Sequence, residues 1–280
     1  MRNYSMRGLK RFAVLLPGII ISYFSIRDIF PYFDRRLPIG VAVLVTYILG
    51  AYILIPAVIR VYRIAKPASH LPLYCVTPDG FASDPLNIGL ITTRTGLIDA
   101  MEQAGWYQAD RRSLTTIFRQ VVTTLSGLSY VSAPVSSLYL FGRKQDIAFE
   151  IPVEGGVGSR HHVRFWATTF DNDKRLSIRS IHWQHRREHV STDELLWVGA
   201  ASLDSGIAPI KHNFQITHMI APDTNQERDL IVTQLRRYEL VVRVYSVKLD
   251  NPYRLANRAL RGYLQTDGKM CVVRLVAPKK

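Results

Sequence analysis

Two apolar runs before residue 70 constrain this chain more than any other feature. The first, FAVLLPGIIISYFSI at 12–26, extends through Ile29 and Phe30 towards Phe33. The second, LPIGVAVLVTYILGAYILIPAVI at 37–59, holds no charged residue. At ~1.5 Å of rise per residue the second run reaches ~35 Å, enough for a bilayer core of ~30 Å with some tilt. The first needs the turn beyond Arg27, whose side chain would snorkel to the interface. Pro17-Gly18 would kink it, which membrane helices tolerate. A basic stretch ahead of an apolar run also fits a signal peptide, but no small-x-small cleavage site follows Ile26 and a better span comes at once. Two buried soluble helices are the other alternative, and the basic flanks weigh against them. The expectation is an uncleaved two-helix hairpin over 1–66, with spans at about 12–33 and 37–59.

Charge supports this and sets an orientation. Lys and Arg number 36 against 22 Asp and Glu, a net +14. Residues 1–70 carry a large share of that excess, with Asp28 and Asp34 their only acids. Arg2, Arg7, Lys10 and Arg11 precede the first run, and Arg60, Arg63 and Lys66 follow the second. The intervening turn has Arg35 and Arg36 beside Asp34. The positive-inside rule then puts both termini, and the domain that follows, in the cytoplasm. The milder excess of the remaining chain suits a domain near anionic headgroups, and it is weaker than the footprint of a dedicated nucleic-acid binder. No nucleic-acid partner is expected. Cys75 and Cys271 have neither CxxC nor finger spacing, so they read as free structural thiols.

Residues 67–84, PASHLPLYCVTPDGFASD, read as an extended linker. From Pro85 the pattern changes to short periodic segments. LNIGLI, HHVRFWAT, LLWVGAASLD, NFQITHMI and LVVRVYSVKL read as strands, and SSLYLFGRKQDIAFEIP as a hairpin turning near Gly142 to Gln145. Leu97, Ile98, Met101 and Ala104 have helical spacing, with Thr95 as cap and Gly105 as stop. SLTTIFRQVVTTLSG at 113–127 repeats that grammar, and TNQERDLIVTQLRRYEL at 224–240 is a third helix. Asp267-Gly268 suits a type I′ turn between two final strands. The fold class is α+β: a mainly antiparallel sheet with about three helices over 85–280.

These stretches resemble the LssY C-terminal domain family. The residues that carry the resemblance are DPLNIGLITTRTGLIDAMEQAGW (84–106), APVSSLYLFGRKQDIAFEIP (133–152), RHHVRFW (160–166), LWVGAASLD (196–204), ITHMIAPDTNQERD (216–229) and, more weakly, GYLQTDGKMCVVRLV (262–276). Residues 1–70 lie outside it, and 171–194 is longer and more basic than the family pattern. The resemblance implies a bacterial inner-membrane protein in which such a domain is joined to membrane spans, with membrane lipid or a protein of an envelope or secretion system as partner. It implies no settled activity.

Within the domain, strand alternation puts Arg160, His162, Arg164 and Trp166 on one face of RHHVRFWAT, and His161, Val163, Phe165 and Ala167 on the other. Two guanidinium forks and an imidazole would hold a phosphate or carboxylate, with the indole as a wall. A solvated outer face, or an arginine buried against a carboxylate such as Asp204, explains the same pattern. His218 would join His161 or His162 if its strand lay beside 160–166. With Asp204 these form a candidate catalytic set, His161, His162, His218 and Asp204, suited to hydrolysis with or without a metal. The spacings match no diagnostic metal motif. His182, His185 and His189 lie in a basic segment better suited to headgroup contact. GxSxG, P-loop and dinucleotide fingerprint are all absent, so no motif names a nucleophile or a cofactor. Two functions stay open: an anchored domain binding an anionic ligand, lipid headgroup or partner, and a hydrolase of phosphate-containing envelope substrates.

Overall fold

A computed structural model describes residues 19–54, 57, 72–78, 80–126, 130–153, 159–168, 194–209, 216–256 and 263–277. The basic segment with His182, His185 and His189, most of the first expected span's start and the stretch 58–71 lie outside the described residues.

The chain divides into two compact units. In the N-terminal unit the backbone is helical over 19–34 and again over 39–54. It includes α1 (Phe30–Asp34) and α2 (Ile39–Ile48), with π-helical turns at Ser25–Ile29 and Leu49–Leu54. Pro38 stands at the cap position of α2, where its missing N–H costs nothing. The Arg36 guanidinium packs 3.9 Å from the Tyr32 ring centroid and donates to the Tyr32 carbonyl. Spans are expected at about 12–33 and 37–59; among the described residues, no helix is long and apolar enough to cross a membrane.

The C-terminal unit is built on an eight-stranded sheet. Its strands are β3 (Ile88–Thr92), β4 (Tyr107–Gln108), β7 (Ile147–Pro152), β8 (Arg160–Thr168), β9 (Leu195–Pro209), β10 (Ile216–Ile220), β11 (Val241–Lys248) and β14 (Lys269–Leu275). The order is β11-β14-β3-β9-β8-β7-β4, with β10 paired to the far half of β9. Every pair is antiparallel except β14 with β3. A second sheet runs β2 (Ala82–Pro85), β1 (Tyr74–Val76), β5 (Tyr139–Leu140), β6 (Arg143–Lys144), and a two-stranded ribbon joins β12 (Tyr253–Ala256) to β13 (Tyr263–Thr266). Strands β1 and β2 occupy the stretch expected as linker. The hairpin expected over 136–152 is shorter: β5 and β6 turn at Phe141-Gly142, both with positive φ, while IAFEIP forms β7 and pairs with β8 and β4 in the large sheet. β13 and β14 do not pair with each other, so Asp267-Gly268 joins strands of different sheets.

Among the described residues the domain has three helices: α3 (Arg94–Gln103), α4 (Leu114–Leu125) and α5 (Asn225–Arg237). Thr93, not Thr95, caps α3, its hydroxyl accepting from the Gly96 amide at 3.0 Å. Gly105, at φ +87°, ends it. The central strands of the large sheet are buried on both faces. One face packs Leu90, Phe149, Phe165 and Trp197 against Leu97 and Met101 of α3 and Ile231 and Leu235 of α5. The other packs Trp166, Leu196, Val198 and Val272 against Cys75, Leu138 and Leu140 beneath the small sheet. That second layer decides the character of the candidate site.

Candidate functional site

Because β8 lies between β7 and β9, its side chains meet partners in rows across three strands. Glu150, His162 and Ser202 form one row, and Arg160 stands opposite Asp204 in the next. As alternation requires, Arg160, His162, Arg164 and Trp166 share a face. That face is turned inward and not to solvent: His162, Arg164 and Trp166 are buried and Arg160 nearly so.

The arginines meet carboxylates. Arg164 Nη1 donates to Asp84 Oδ2 at 2.9 Å, while its Nε and Nη2 reach the Ser136 carbonyl and hydroxyl at 3.2 and 3.1 Å. Arg160 Nη1 donates to Glu150 Oε2 at 2.6 Å, and its Nε to Asp204 Oδ2 at 3.3 Å. The Trp166 indole N–H donates to the Arg143 carbonyl at 3.2 Å. Between the two ion pairs sit His162 and Ser202. Ser202 Oγ is 2.9 Å from His162 Nε2 and donates to Asp84 Oδ2 at 3.0 Å. His162 Nδ1 faces Asp204 Oδ1 at 3.4 Å, outside hydrogen-bond geometry. A line of neighbouring buried polar side chains therefore runs Arg164, Asp84, Ser202, His162, Asp204, Arg160, Glu150, hydrogen-bonded except between His162 and Asp204.

Two carboxyls in this chain titrate far apart. Burial opposes ionisation of Asp84, but the interaction with His162 and the Arg164 charge overcome it and hold the group at about 2. At Glu150 burial wins. The Arg160 guanidinium pulls the other way, but burial and the nearby Asp204 carboxylate push the acid up to about 8. Its Oε1 is buried with no hydrogen-bond partner among the described residues.

The structure brings His162 and Asp204 of the candidate catalytic set together and separates the rest. His161 points to the opposite face, where Nδ1 lies 2.7 Å from Glu227 Oε2 of α5. His218 lies on β10, opposite Ile207 of β9, and β10 pairs with β9 rather than β8. Among the described residues, no group of three or more His, Cys, Asp and Glu is arranged to hold a metal ion. The order Ser202, His162, Asp204 is that of nucleophile, base and orienting carboxylate. Ser202 and His162 are closed to solvent, however, and the serine hydroxyl is shared with Asp84. As it stands, the arrangement matches buried charges and holds a proton at Glu150.

Sequence reasoning missed Asp84, Glu150 and Ser202. Only Glu150 carries a local signal, a lone acid within the apolar run IAFEIP. Asp84 ends a stretch that reads locally as a linker.

No match to a curated protein or to a solved structure was found. The family model described as LssY C-terminus matches residues 68–270, which takes in β1, β2 and the large sheet as far as the start of β14. The chain belongs to the LssY C-terminal domain family.

Proposed function

We propose that this protein is anchored in a bacterial inner membrane by its N-terminal apolar runs and that its LssY C-terminal domain works at the cytoplasmic membrane surface, binding anionic lipid headgroups or an envelope partner. One observation carries the reading. Ile19, Tyr23, Phe24, Ile26, Ile39, Val43, Leu44 and Ile53 of the N-terminal unit are all exposed. Isolated apolar side chains on a surface are ordinary, but a helical unit showing them on every side suits a lipid environment. The basic residues flanking both runs agree with it. The arginines of the buried polar chain are matched by carboxylates, so headgroup binding falls to the domain surface.

The test is extraction of membranes from cells expressing the full chain. The protein should stay with the bilayer after alkaline carbonate washing, and a protease added to spheroplasts should leave the domain intact. Release by carbonate overturns the anchor, and digestion from the periplasmic side overturns the orientation.

The order Ser202, His162, Asp204 favours a second reading, hydrolysis of phosphate-containing envelope substrates. It ranks behind the first because a substrate would have to reach a serine closed to solvent. Turnover of a phosphate ester that disappears in Ser202→Ala would establish it.

A further inference from the structure

Helix α4 faces the wrong way for a helix of a water-soluble domain. Leu114, Phe118 and Val122 recur every four residues, so they line one face. They are exposed by 88, 70 and 43%. Among the described residues of the helix, the side turned inward is mostly polar: Thr116, Gln120 and Thr123 are half-buried there, together with Ile117. The helix is well made at its start, where the Ser113 hydroxyl accepts from the Thr116 amide at 3.1 Å. Twelve residues give it a length of about 18 Å.

Cations surround the stripe. Arg111 and Arg112 precede the helix, Arg119 lies within it, and the helix contains no acid. Burial, together with the charges of Arg112 and Arg111, lowers the Lys144 ammonium. Asp110 is engaged elsewhere, accepting from the Tyr130 and Ser132 hydroxyls. The Arg119 guanidinium lies 4.4 Å from the Tyr130 ring centroid.

We propose that α4 lies in the headgroup region of an anionic bilayer, with Leu114, Phe118 and Val122 inserted towards the acyl chains and Arg111, Arg112, Arg119 and Lys144 on the phosphates. An apolar stripe edged by basic residues is the pattern of an interfacial helix. A second copy of the chain would bring the same cations together, which charge repulsion opposes. The proposal rests on the reading that the domain works at a membrane surface. It assigns the contact to α4, away from the buried face of β8.

The test uses the full chain with Cys271→Ser, leaving Cys75 buried, and a single environment-sensitive fluorophore at Phe118→Cys. A parallel sample carries it at Thr123→Cys on the opposite side of the helix. Each is placed in nanodiscs of phosphatidylcholine alone or mixed equally with phosphatidylglycerol. In anionic discs, emission at 118 should shift to the blue and be quenched by doxyl-labelled lipid, whereas emission at 123, on the half-buried side, should be the same in both kinds of disc and unquenched. High salt, or Arg111→Ala with Arg112→Ala, should abolish the shift. Emission from 118 that stays water-like in anionic discs overturns the proposal. So does a shift that ignores the lipid quencher and grows with protein concentration, the mark of a second copy. A chain that remains in the discs while 118 stays in water loses the docking but keeps the anchor. Binding to anionic discs alone, reversed by salt, keeps the docking and removes the anchor.

Discussion

Glu150→Gln isolates the buried acid, because glutamine keeps the shape of a protonated glutamate and cannot ionise. The glutamate carboxyl titrates ordinarily near 4.5 and is pushed up to about 8 in the folded domain. Between those values the folded state holds a proton that the unfolded chain releases. Stability from this group is therefore fully present below about pH 4.5 and is lost as pH rises through about 8. At 1.36 kcal/mol per unit, the full loss is on the order of 5 kcal/mol, large beside an ordinary stability of 5–15 kcal/mol. The assay is unfolding of the full chain followed by tryptophan fluorescence, since Trp106, Trp166 and Trp197 are all buried in the domain. Wild type should lose stability steadily between about pH 5 and pH 9. Glu150→Gln should lack that loss, matching wild type within about 1 kcal/mol at the acid end and exceeding it at the alkaline end. A difference between the two proteins that is constant across this range would refute the reasoning. It would mean that the Arg160 ion pair at 2.6 Å outweighs burial and keeps Glu150 ionised.

Two further substitutions probe the packing on either face of the large sheet. Arg164→Ala should strand Asp84 and destabilise the domain by about 3–5 kcal/mol, with part recovered by adding Asp84→Asn; a change below about 0.5 kcal/mol in the same melts would show the face is solvated. Gly199→Ala should destabilise by about 1–3 kcal/mol or more, because its new Cβ would stand 2.6 Å from the Phe165 ring and 2.8 Å from Ile88 Cγ2. Phe165→Leu should relieve part of that cost in a double-mutant cycle, and strictly additive effects would show that the two sites do not meet.

Local pattern alone determined much of this protein. The two-residue period of a strand places Arg160, His162, Arg164 and Trp166 on one side of β8 whatever surrounds it. The spacing of Leu97, Met101, Ile231 and Leu235 marks two helices and their inward faces, and the switch to short periodic segments marks the α+β class. Tertiary structure decided what that side of β8 means. Period assigns residues to faces, but only a second layer settles whether a face meets water. Here the layer is the small sheet, whose β1 and β2 come from a proline-rich stretch that reads locally as linker. Asp84 reaches Arg164 across 80 residues of sequence, and Ser202 reaches His162 across 40. Neither pairing leaves a mark in the residues beside it, because a carboxylate or hydroxyl in a short strand looks the same whether its partner is water or a buried arginine. The separation of His161 from His162 was legible from alternation, whereas the placement of His218 was not: a strand's own sequence shows its faces but not its neighbours, which are chosen by the packing of the whole sheet.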